Sequence, residues 1–80
     1  MLKISTHMTP EEAFYHALKV IKGRYPEGEE IIATSAKWSY YYALEILNDR
    51  FVEGEAIIAQ DSYWHTHYNK EMEIINKNKS

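Results

Sequence analysis

Two charged clusters recur in this 80-residue chain: Arg24 followed by Glu27 and Glu29, and Arg50 followed by Glu53 and Glu55. An arginine beside paired carboxylates can hold an anion, move a proton, or simply latch two elements together. The cluster occurs twice, and one active site has no use for duplicated parts, so the latch is the preferred reading. Glutamates at the start of a helix are also favoured by its dipole. The alternative places Arg24, Glu27, Arg50 and Glu53 in one cleft between copies, where they would hold a nucleotide or another small anion or serve an enzyme as its polar groups.

The histidines suggest metal binding, but their spacing argues against it. His65 and His67 diverge by roughly 200° on a helix. His65 shares a face with Asp61, yet two ligands without a third make a poor site. His16 stands where later copies carry Tyr42 and Tyr68, which suits packing, and His7 has no evident partner. There is no cysteine, and Gly23, Gly28 and Gly54 lack the spacing of a phosphate loop. Catalytic residues, metal and cofactor are all expected to be none, and the chain is read as a non-enzyme. A different group is better placed for recognition. Tyr15, Tyr41 and His67 form a column beside Lys37, Glu45 and Asn48, with the Trp38 edge adjoining. Aromatic residues of this kind are enriched at binding hot spots.

These residues are positioned by a repeat. Tyr15, Ala17, Leu18, Arg24, Glu27, Gly28, Glu29, Ile31, Ile32 and Ala33 recur identically 26 residues later. Copies therefore span residues 9–34 and 35–60, and a partial copy at 61–75 aligns Trp64 with Trp38 and Tyr68 with Tyr42. Each copy reads as a long helix and a short one. Thr9, Ser35 and Asp61 are N-cap residues at equivalent positions, and Thr9 with Glu12 has capping-box spacing. The expected long helices run over 10–22, 36–48 and 62–75, with Gly23 stopping the first. The short ones run over 26–34 and 52–60, and 76–80 is expected to fray. Leu2 and Ile4 alternate, leaving residues 1–7 ambiguous.

The middle long helix is apolar on two sides, so it is sandwiched. Trp38, Tyr42 and Ile46 should meet Phe14, Leu18 and Ile21, while Tyr40, Leu44 and Leu47 should meet Trp64, Tyr68 and Met72. Each flanking copy carries polar residues on its outer face, as the ends of a stack require. Small residues at 13, 17, 39 and 43 let the short helices approach, with Ile31, Ile32, Ile57 and Ile58 beneath. The expected fold is all-α, a short stack of about two and a half repeats forming one domain.

The run from Ala17 to Glu29, ALKVIKGRYPEGE, resembles a repeat of uncharacterised phage and bacterial proteins, "YA…VIKGR(W/F/Y)PE(G/A)E". Asp61-Ser62-Tyr63-Trp64 is similar to the segment that precedes that group's next long helix. In the second copy Asn48-Asp49-Arg50-Phe51-Val52 departs from the pattern. The resemblance covers roughly residues 9–70. It implies a phage or mobile-element origin and, by analogy, a small protein that binds and inhibits a host factor.

Composition bounds the partners. Nine Lys+Arg against twelve Asp+Glu give a net charge of −3, which argues against a general nucleic-acid or anionic-membrane binder. No apolar run approaches the roughly 20 residues of a membrane span, and Met1–Met8 is too polar for a signal peptide. The expectation is a cytoplasmic monomer with a protein partner, with self-association through its flat sides as an alternative.

Overall fold

The computed structural model describes residues 8–79; the ambiguous segment 1–7 and Ser80 lie outside the described residues. The fold is all-α, with five helices and no strand among the described residues. Helix α1 is α-helical over Pro10–Tyr15 and π-helical over His16–Ile21. Helix α3 repeats that construction, with Ala36–Tyr41 followed by π-helical Tyr42–Leu47. The short helices are α2, Pro26–Ile32, and α4, Val52–Ala59, and the chain ends in α5, Ser62–Lys79.

Local chemistry explains the starts. Thr9 Oγ1 accepts from the Glu12 amide at 3.1 Å while Glu12 Oε1 accepts from the Thr9 amide at 2.9 Å, a complete capping box. Ser35 Oγ accepts from the Trp38 amide, and Asp61 Oδ1 from those of Tyr63 and Trp64. Pro10 and Pro26 each stand in the first turn, where a missing amide hydrogen costs nothing.

The ends depart from expectation. Lys22, not Gly23, takes the left-handed conformation that closes α1, at φ 60°, and Asn48 does the same for α3 at φ 52°. The π-turns bring the chain to its exit one residue earlier, and the Lys22 amide bonds back to the Ala17 carbonyl at 2.7 Å. Helix α5 runs past Ile75 to Lys79, so 76–79 continue the helix instead of fraying. Nothing in Asn-Lys-Asn-Lys breaks an i→i−4 ladder that an 18-residue helix already propagates.

The long helices pack side by side. Phe14 lies 5.2 Å from Trp38, and Tyr40 5.2 Å from Trp64, ring centre to ring centre, so the two sides of α3 meet α1 and α5 as expected. Ala13, Ala17, Ser39 and Ala43 are fully buried, as are Ile32 and Ile58 of the short helices. The buried Ser39 hydroxyl donates to the Ile32 carbonyl at 3.0 Å. Glycine is required where the short helices approach. A Cβ on Gly28 would collide with the Tyr25 ring, and one on Gly54 with Ser39 and the Phe51 ring. One packing expectation fails: Ile21 is 45% exposed and does not join Phe14 and Leu18 in the core. It lies in the π-turn, where spacing drawn from 3.6 residues per turn no longer predicts the facing side.

Candidate functional site

The two arginine clusters form matched latches. Arg24 Nε and Nη2 donate to the two oxygens of Glu29 at 2.7 and 3.2 Å. Arg50 makes the same fork to Glu55 at 2.8 and 2.8 Å. In each cluster the second glutamate takes the arginine, while Glu27 and Glu53 do not.

Each latch is completed from the next long helix. The Tyr42 hydroxyl donates to Glu29 Oε2 at 2.7 Å and accepts from the Tyr25 amide at 2.8 Å. The Tyr68 hydroxyl donates to Glu55 Oε2 at 2.7 Å and accepts from the Phe51 amide at 3.0 Å. Every member recurs at the 26-residue offset. Sequence reasoning assigned Tyr42 and Tyr68 only to packing. A signal was present: tyrosine occupies this position only where an Arg-x4-Glu cluster precedes it, and His16, with no such cluster upstream, takes its place in the first copy. The His16 ring instead packs 4.8 Å from Tyr25.

The latches shift their members' acidity in consistent directions. Burial alone would raise Glu29, which is 3% exposed, but hydrogen bonds from Arg24 and Tyr42 hold its carboxyl below the usual range. The Arg50 fork lowers Glu55 in the same way. Burial, then the adjoining carboxylate, raises the Tyr42 hydroxyl and pushes Tyr68 up to about 12. Glu53 is raised, chiefly by the neighbouring Glu29 carboxylate.

A cleft of about 430 Å³ between the short helices is lined by Arg24, Glu29, Arg50 and Glu53, with Leu47 and Phe51. Three of the four residues expected there are present, whereas Glu27 lies outside it. Both guanidiniums in the cleft are already forked by carboxylates. Among the described residues no buried side-chain nitrogen or oxygen lacks a hydrogen-bond partner. The buried polar groups of the cleft are paired, as in a structural latch, while both guanidiniums stay more than half exposed.

The histidines separate. His65 lines a hollow with Arg50, Glu55 and Tyr68, while His67 packs 4.5 Å from Tyr63. Among the described residues no three of His, Cys, Asp and Glu come together as metal ligands.

The aromatic column forms a continuous ladder. Its rungs run from Tyr15 to Trp38 at 5.8 Å, Trp38 to Tyr41 at 5.7 Å, Tyr41 to Trp64 at 5.8 Å, and Trp64 to His67 at 6.4 Å. The ladder crosses all three long helices. Tyr15 is 43% exposed, Tyr63 at the far end is 61% exposed, and the rungs between are half-buried. Lys37 Nζ sits 4.9 Å from the Trp38 ring centre, a cation–π contact. Tyr15, Trp38 and Tyr41, with Leu18, Lys37 and Glu45, wall an open groove of about 390 Å³ built only from α1 and α3. The sequence column of Tyr15, Tyr41 and His67 is thus one half of the surface, and the tryptophans, assigned to the core, are the other half.

No protein-family model, curated protein or solved structure matches this chain. No helix among the described residues is long and apolar enough to cross a membrane.

Proposed function

We propose that this chain is a non-enzymatic protein-binding module whose contact surface is the aromatic ladder, with Tyr15, Tyr41, His67 and Lys37 at its accessible edges. The observation that supports this most is the partial exposure of five consecutive rungs. The rings pack inward against a core that includes Ala13, Ala17, Tyr42, Ala43, Ile32 and Ile58, while their outer edges stay in contact with water. Large rings with polar tips give much contact area for little lost side-chain freedom, which is why they dominate interface energetics. Following the phage-like repeat, the partner we propose is a host protein that the module occludes.

A pull-down from host lysate with the parent and with Tyr15→Ser/Tyr41→Ser tests the reading. The expected result is a protein retained by the parent and lost from the variant, whose circular dichroism stays helical. Equal retention by both removes the ladder from recognition. A second reading, a small ligand held at Arg24, Arg50 and Glu53, has the 430 Å³ cleft in its favour. It predicts a thermal shift with nucleotides or inorganic anions, which the parent should not show if the arginines are fully used by Glu29 and Glu55.

A further inference from the structure

We infer that the outer face of α1 pairs with the same face of a second copy of this chain, the two helices running antiparallel about a two-fold axis beside Tyr15. The pairing face is separate from the ladder and meets it only at Tyr15.

Uncovered apolar surface is concentrated on this helix. Three of the six large apolar side chains exposed among the described residues, Tyr15, Val20 and Ile21, stand on α1. Val20 is the counterpart of Ile46, which is packed against the core one repeat later. On α1 that side instead lines an open hollow of about 690 Å³, walled by α1 and Met8 alone, and Val20 is 65% exposed. An apolar face that the rest of the fold leaves uncovered is where a partner gains most by docking.

The order of charges along the hollow selects the partner. Glu11 lies four residues before Tyr15 and Lys19 four residues after it, and all three line the hollow. Glu12 already accepts from the Thr9 amide, so Glu11 carries the acidic end. A face that is acidic at one end and basic at the other does not match a partner of uniform charge. It matches itself turned end for end.

The apolar residues obey the same symmetry. Met8 and Val20 line opposite ends of the hollow, and their midpoint falls one residue from Tyr15, about 1.5 Å along a helix. A single axis therefore sets each copy's Glu11 against the second copy's Lys19, and each Met8 against the second copy's Val20. Such an isologous contact closes at two copies, because each face is used up by the other.

Sedimentation of the full chain between about 10 µM and about 1 mM reads the pairing, since one helix face per copy lies at the small end of interface sizes. The mass should rise from one copy to two and stop there. Glu11→Lys and Lys19→Glu should each weaken pairing about tenfold or more, because each places like charges opposite one another. Both side chains are exposed, so circular dichroism should show unchanged helicity in both variants. An equimolar mixture of the two variants should pair again, since every charge of one row then faces its opposite in the other. A single-copy mass at about 1 mM overturns the inference. Growth beyond two copies, as in an end-to-end stack of α5 on α1, also overturns it. So does pairing that both variants retain, or that their mixture fails to restore.

Discussion

Removing a single hydroxyl should separate the two latches. In Tyr42→Phe the ring stays in place and no cavity forms, but two hydrogen bonds go. One ends on the Glu29 carboxylate, at 2.7 Å, and the other leaves the Tyr25 amide without its 2.8 Å acceptor. A hydrogen bond to a charged group contributes about 1.5–3 kcal/mol, and a stranded amide costs about 1–3 kcal/mol. Because Glu29 is 3% exposed, water cannot replace the lost donor, and the expected destabilisation is about 3 kcal/mol. Tyr68→Phe breaks the same two bonds, but the Glu55 side chain is 26% exposed. Water can then solvate the carboxylate, and the expected loss is about 2 kcal/mol. The amides pull the other way, since Phe51 is more buried than Tyr25. The charged group outweighs the neutral one, so the order should hold. Urea unfolding followed by circular dichroism measures both, and the midpoint temperature of Tyr42→Phe should fall by roughly 12–24 °C. A double-mutant cycle with Glu29→Gln should return a coupling of at least about 1 kcal/mol. The reasoning fails if Tyr68→Phe is the more damaging change, or if either variant loses less than about 0.5 kcal/mol.

Three further outcomes follow from the same geometry. Gly54→Ala places a methyl against Ser39 at 2.6 Å and Phe51 at 2.7 Å, so it should destabilise by about 1–3 kcal/mol in spite of alanine's better helix propensity; a stabilised variant in a melting experiment contradicts the close approach of α4 to α3. Trp38→Ala should cost about 3 kcal/mol by denaturant unfolding, because its ring bridges Phe14, Tyr15 and Tyr41, and an unchanged midpoint would remove it from the α1–α3 interface. The pH dependence should carry two opposed signs. Glu29 and Glu55 have folded values below the ordinary one, so their stabilisation is present above about pH 4.5 and is lost as pH falls through those lowered values. Glu53 is raised, so its contribution is present below the ordinary value and is lost as pH rises through the raised one. Glu53→Gln should therefore be more stable than the parent at pH 7 and equal to it below about pH 4, and a gap that persists in acid would assign the effect to something other than the Glu29 carboxylate.

Much of this molecule is written locally. The starts of four of the five helices follow from Thr9, Pro10, Pro26, Ser35 and Asp61, because caps and first-turn prolines act within three residues of themselves. The 26-residue offset, read with helical period, was enough to place Phe14 against Trp38 and Tyr40 against Trp64. Gly28 and Gly54 stood out as repeated, although what they avoid became visible only once the Tyr25 and Phe51 rings were positioned.

What the tertiary structure alone decided lies at longer range. Whether Arg24 takes Glu27 or Glu29 depends on which carboxylate the Tyr42 hydroxyl can also reach, and that bond joins residues 13 apart in the chain. The π-turns at His16–Ile21 and Tyr42–Leu47, with the left-handed exits at Lys22 and Asn48, override the glycine that local rules favour and turn Ile21 outward. The accessible half of the tryptophan rings is likewise a property of neighbouring helices, since each ring shows only what the next helix leaves uncovered. Interactions within one turn are encoded by adjacent residues, whereas latch partners, register and exposure are settled by how whole helices fit together.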